Sequence, residues 1–371
     1  MTEEAPRITP AMEEKKEHAS VAQPDARRAF CVALPVTGGK PLKLTGDNPH
    51  EFIQFLSESS ISWLNFPVKD IKKDADIIAT SLGFSSTLVP TLLSSYLSAY
   101  EDRDTELGVM LPAVAVKKFD VLISPILILI RKDLILTIHE ENVNRLIRLS
   151  RYADAFMRKI KPSLATQDKL TIILTRIIDE NNNRNFDHLR KIEAQGDELT
   201  RMLADPLAPR ASIAPEIHNM KHALISYLET LWAALDVVNS LRHGDAEVIS
   251  DSPKLLARVG ILSDDVNRHI ALSEHMSEVL ASGLEVMQSI YNNQLQILNN
   301  RLALVVAWLT IIGTAVLVPN TLATILGSSA FNLGPEDRLW YSAFLIASTV
   351  ISTWAAYWWI KKKGLLPFKV D

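Results

Sequence analysis

Leu302–Leu326, LALVVAWLTIIGTAVLVPNTLATIL, holds twenty-five residues and no charge; a twelve-residue turn, Gly327–Arg338, separates it from a second uncharged run, Leu339–Ile360. At ~1.5 Å per residue these runs reach ~33 to 37 Å as helices, enough to cross a ~30 Å hydrocarbon layer with some tilt. About 300 residues of soluble character precede them. The turn is too short to be a domain, so both flanks are expected on one side of the membrane. Lys361, Lys362 and Lys363 follow the second run, whereas the turn carries Glu336 and Asp337 against Arg338 alone. Lys- and Arg-rich flanks stay in the cytoplasm. The reading is a multi-pass cell-membrane protein with both termini and the large domain cytosolic and the acidic turn outside.

The rest of the composition narrows the class. Thirty-nine basic residues stand against 43 acidic ones, a net charge of −4. Nucleic-acid binding rests on a concentrated basic surface, so it is disfavoured. A single cysteine, Cys31, allows no intramolecular disulfide and suits a reducing compartment. Met1–Arg28 is polar, has no apolar core, and reads as a disordered tail rather than a signal peptide.

Residues 29–165 read as an α+β cytosolic domain, a mixed sheet with helices. Ile61–Phe66 alternates like a strand, and Asp74–Phe84 looks like a short helix. Val109–Val116, Val121–Ile130 and Leu134–His139 are rich in β-branched residues and leucine, as paired strands are, with a hairpin turn at Asp133. Sheet order is not readable. From 166 to 301 the apolar period changes to three and four: Leu170–Leu203, then Ile217–Leu241 after the breaker Asp205–Pro209, then a segment starting after Pro253. No proline lies between Leu255 and Val318. One helix is expected from the stalk into the first span, approaching ~100 Å, and its apolar stripe needs copies of itself as cover. The expected order is therefore stalk, first span (302–326), external loop (327–338), second span (339–360) and basic tail (361–371).

This order resembles the CorA-type divalent-cation (magnesium and cobalt) transporters. Ile128–Glu141, ILIRKDLILTIHEE, is similar to that family's strand pair ending in Thr-x-His-Glu-Glu. Asn300-Arg301, then Leu309-Thr310-Ile311-Ile312 and Pro319-Asn320-Thr321, look like its first span, and Lys361–Lys363 like its basic tail. The resemblance runs from about Trp63 onward. It implies a funnel-shaped homopentamer whose first spans line a pore and whose second spans lie outside them. Its lumen positions fall on Ala303, Val306, Leu309, Gly313, Leu317 or Val318, Thr321 and Ser329, with Gly327, Ser328, Glu336 and Asp337 at the outer entrance. The signature Gly-Met-Asn is replaced by Gly327-Ser328-Ser329, and the inner-mouth Asn by Ala303. Asn332 can stand in for the missing carboxamide.

What the resemblance implies chemically is movement of a hydrated divalent ion, Mg²⁺ first, through a largely apolar lumen. The competing reading of Thr310, Thr314, Thr321 and Thr324 is that their hydroxyls only bond backbone carbonyls. No ionisable residue sits inside either span, which disfavours a proton relay. A divalent ion moving inward gains about 4.6 kcal/mol per 100 mV, so neither ATP nor an organic cofactor is needed. No phosphate loop is present either. Mg²⁺ is expected as cargo and as regulator, with Asp264 and Asp265 facing Glu101, Asp102 or Asp104 of another copy. His218 and His222, at i and i+4, read as a solvent-facing pair. No catalytic constellation is legible. The alternatives left open are a different ion or direction (Zn²⁺, Co²⁺ or efflux) and a non-conducting membrane-anchored sensor or scaffold.

Overall fold

The computed structural model describes residues 28–36, 38–204, 210–243, 246–327 and 334–362. They divide into two units at Leu280/Ala281. In the first unit, the strands β1 (Ala29–Pro35) and β2 (Leu42–Gly46) precede α1 (His50–Ser57) and β3 (Ser59–Val68). Two short helices follow, α2 (Ile71–Ser81) and α3 (Leu88–Ser94). A meander of β4 (Ala99–Arg103), β5 (Glu106–Lys117), β6 (Asp120–Arg131) and β7 (Leu134–Glu140) completes one seven-stranded sheet. Its order is β2-β1-β3-β7-β6-β5-β4, with β3–β7 the one parallel pair.

The central strands are apolar on both faces because both are covered. Along β6, Ile126, Ile128 and Ile130 join the layer beneath the long helices, whereas Leu127 and Leu129 join the layer beneath α1–α3. The hairpins turn on residues in the left-handed region: Asp104 (φ 40°), Lys118 (φ 54°) and Lys132 (φ 49°). The turn expected at Asp133 is this last one. The helix expected over Asp74–Phe84 starts three residues earlier. Asp70 is extended and its carboxylate accepts the Lys72 N–H at 3.1 Å, which fixes the N-terminus of α2. Gly83, at φ +88°, follows its end.

Four further helices cover the other face. They are α4 (Asn144–Met157), α5 (Thr166–Asn182), α6 (Asn185–Ala204) and α7 (Arg210–His243). The periodic stretch from Leu170 to Leu203 is broken at Asn183–Arg184, where a run of weakly helix-forming asparagines ends α5. The breaker Asp205–Pro209 lies outside the described residues, as do Met1–Arg27. α8 (Pro253–Leu326) is one helix of 74 residues, as its unbroken pattern predicts. In the second unit α8 continues to Leu326, Pro335–Asp337 forms a short 3-10 turn, and α9 runs over Arg338–Lys362.

Two buried polar clusters hold the first unit together. Across the parallel pair, Trp63 Nε1 donates to Thr137 Oγ1 (3.1 Å), Thr137 donates to Asn65 Oδ1 (2.6 Å), and Asn65 Nδ2 donates to His139 Nε2 (3.1 Å). His139 Nδ1 must then carry the proton, which it donates to the Glu140 carbonyl at 2.8 Å. Burial pushes the His139 pKa down to about 4, keeping it neutral. The Thr-x-His-Glu stretch is thus a ladder of buried hydrogen bonds, each worth about 1 kcal/mol net and more when broken on one side. The second cluster centres on buried Arg145, which donates to the carbonyls of Asn181 and Val114, to Asn181 Oδ1 (3.2 Å) and to His188 Nδ1 (3.4 Å). Nothing in the sequence marked Arg145; it ties α4 to α5, α6 and β5.

Candidate ion pathway

The two helices of the second unit are long and apolar enough to cross a membrane, with mean hydropathy of 2.3 and 1.4 over their best windows. They pack through a narrow seam. Ala307 and Ile311 on α8 are buried with Ile360 on α9, and Tyr341 Oη donates to the Ala323 carbonyl at 3.4 Å. The rest of the α8 circumference faces outward: Leu302, Val305, Val306, Leu309, Ile312, Val316 and Leu317 are all exposed. In water such a surface would be untenable. Lipid and further copies of the chain are the two covers it suits.

Each expected lumen residue from Ala303 through Val306, Leu309, Gly313 and Leu317 to Thr321 is exposed and off the seam that α9 occupies. Ser328, Ser329 and Asn332 lie outside the described residues. The four threonines bond as the competing reading has it: Thr310, Thr314, Thr321 and Thr324 each donate to the carbonyl four residues back, at 2.7 to 2.9 Å. That spends the hydroxyl proton and leaves the oxygen lone pairs free to face a cation or its waters. A Cβ at Gly313 would meet nothing within 4 Å, whereas one at Gly327 would sit 2.9 Å from the Ala323 carbonyl. Gly327 is therefore a packing requirement at the end of α8.

At the other side of the turn, Asp337 is committed to structure. Its Oδ1 accepts the Trp340 indole N–H and its Oδ2 the Gly334 N–H, both at 2.9 Å. These bonds, Trp340 foremost, hold its carboxyl below the usual range. Glu336 is exposed and makes no ion pair among the described residues.

The expected regulatory carboxylates do not gather within one chain: no group of three or more His, Cys, Asp or Glu side chains among the described residues can hold a metal. Asp264 is exposed, Asp265 pairs with Arg268, and Glu101 pairs with Arg103 at 3.1 Å. His218 and His222 are exposed as expected, and line an open cleft of about 590 Å³ with Glu198, Glu216 and Asp120.

The profile of the family described as "CorA-like Mg2+ transporter protein" matches residues 58–362. Solved structures agree in fold. The complete CorA magnesium transporter from Methanocaldococcus jannaschii superposes with a TM-score of 0.66 at 17% identity, over 90% of this chain and 97% of its own. Full-length CmaX gives 0.60 at 16% identity, over 90% and 98%. The cytoplasmic domain of ZntB from Vibrio parahaemolyticus gives 0.53 at 12% identity, over 72% and 98%. A comparison with curated proteins finds no match.

Proposed function

The chain belongs to the CorA-like Mg2+ transporter family, and from that premise we propose that it conducts Mg²⁺ inward through the axis of a homopentamer. In this reading the α8 spans line the lumen and α9 lies outside them. The observation that carries it is the second unit itself. Two helices with uncharged runs of spanning length meet along one seam and leave a broad exposed face on α8, with hydroxyls and a glycine but no charge along the run. Such a lumen passes an ion that keeps its waters, since Mg²⁺ dehydrates reluctantly. The membrane potential supplies the drive, about 4.6 kcal/mol per 100 mV for two charges. Both termini face the cytosol and the turn faces out, following the lysines that close the second span. Asp264 and Asp265 meet Glu101 and Asp102 of a neighbouring copy and sense the cytosolic ion.

Gly327-Ser328-Ser329 favours a second reading in which Zn²⁺ or Co²⁺ replaces Mg²⁺, because a serine hydroxyl reaches less far than a carboxamide. Flux into proteoliposomes with Mg²⁺, Co²⁺, Zn²⁺ and Ni²⁺ offered separately tests both. Mg²⁺ entering fastest supports the first, a transition metal entering fastest the second, and no flux of any ion defeats both.

A further inference from the structure

Between Glu285 and Arg301 helix α8 carries no charge, yet seven of those fifteen residues are Asn or Gln. Asparagine costs a helix interior up to about 0.7 kcal/mol relative to alanine, and Lys or Glu would give solubility at less cost. Polarity without charge is therefore being kept against helix propensity. Its placement says where. At about 100° per residue, and with Ala303 set at zero, Asn292, Gln296 and Asn299 all point within about 40° of that direction. On one side, roughly 120° to 140° round, stand Ile290 and Ile297; on the other, about 80° to 140° round, stand Tyr291, Leu295 and Leu298. All five of these apolar side chains are exposed in the single chain.

A helix with two apolar stripes flanking a polar one has a surface for a neighbour on each side. In a closed ring of copies the flanks cover one another and the polar stripe faces the axis. Ala303, the first of the expected lumen positions, continues the same stripe. Arg301 and Gln294 point about 160° to 180° away, so the one cation of the segment is kept off the axis.

Resting on the pore reading above, we propose that Asn292, Gln296 and Asn299 form a carboxamide collar that binds the hydrated divalent cation at the cytosolic mouth of the membrane span. Each ring of carboxamide oxygens accepts hydrogen bonds from the waters around the ion, and its N–H groups lock against neighbouring copies. Neutral oxygens suit passage better than carboxylates. A ring of neutral oxygens holds a divalent ion less tightly than a ring of carboxylates, and conduction needs binding weak enough to leave. The collar also supplies polar contacts that Ala303 cannot.

The test uses the full-length protein in proteoliposomes and a cationic methanethiosulfonate reagent. Cys31 is fully buried, with its thiol pKa raised by that burial, so the parent offers little background reactivity. Gln296→Cys and Asn299→Cys should each lose Mg²⁺ flux at least tenfold on modification, while Gln294→Cys on the opposite side changes less than twofold. Unmodified, Gln296→Leu with Asn299→Leu should raise the half-saturating Mg²⁺ concentration at unchanged oligomer mass. Equal loss at all three cysteines, or none at 296 and 299, overturns the collar. If the parent conducts and Gly313→Leu blocks it but the collar variants behave like the parent, the collar fails and the pore stands. If the parent carries no ion, both fail.

Discussion

A leucine at position 313 fills space that the chain itself leaves empty, since a Cβ built on Gly313 meets nothing within 4 Å. Within one copy the substitution is therefore free of steric cost. Exchanging glycine for leucine inside a helix favours folding by about 0.8 kcal/mol. Folding and assembly should be unchanged or slightly strengthened. On the proposed pore reading, the surroundings the new side chain crowds are those of the lumen, where every copy adds its own at one level. A tenfold loss of flux requires only about 1.4 kcal/mol of added barrier. Stripping even part of a magnesium ion's tightly held water exceeds that, so at least a tenfold loss is expected. The assay is Mg²⁺ entry into proteoliposomes normalised to oligomer content, with oligomer mass measured in detergent. Gly313→Ala should fall between parent and leucine variant. Gly313→Leu with flux within twofold of the parent would refute the placement of α8 around the pathway.

Three other outcomes are expected. Gly327→Ala should lower assembly as well as flux, because its Cβ would sit 2.9 Å from the Ala323 carbonyl; a variant of parental mass and flux contradicts this. Glu336→Gln should slow entry at low ionic strength and match the parent near 1 M salt, as screening removes an exposed charge; a deficit that persists at high salt points to a direct ligand instead. Acidification should weaken the first unit. His139 and His188 have folded pKa values pushed down to about 4, mainly by burial, with Arg145 adding to the effect at His188. A histidine whose folded pKa is lowered leaves the unfolded chain to bind the proton first, so stability falls as pH drops from about 6.5 towards about 4. The urea midpoint of the first unit should decline across that window and be flat from pH 7 to 8; a flat midpoint down to pH 4 would show that neither ring is held neutral.

How much of this was legible depended on whether the signal was local. The central strands could be read because Ile126–Ile130 is an unbroken apolar run, and α8 because no breaker interrupts its period. The start of α2 was missed by three residues because the apolar pattern outweighed the capping signal of Asp70. Pairing of β3 with β7 could not be read, since no local pattern records which distant strand will be parallel. The Arg145 cluster was invisible for the same reason: its partners come from three other elements. At the candidate site, the expected lumen positions of α8 came from the resemblance, and their spacing keeps them broadly on one helical face. The roles of Asp337 and Gly327 did not, because they rest on bonds and clearances that appear only once the turn is folded.

The parallel β3–β7 ladder also sets a timetable. Val68 must wait for Glu140, its partner seventy-two residues later, before the middle of the sheet can close. At synthesis rates of 5 to 20 residues per second that delay is about 4 to 14 s. Until then β1–β3 present an unsatisfied strand edge, an aggregation-prone interval in the life of the chain. Once β7 emerges, the meander β4–β7, made of short-range hairpins, gives β3 a finished edge to dock on. The apolar span after Leu302 is translated more than 150 residues later. The first unit can thus seal its sheet before the apolar helices leave the ribosome, and the two greasiest parts of the protein are never exposed together.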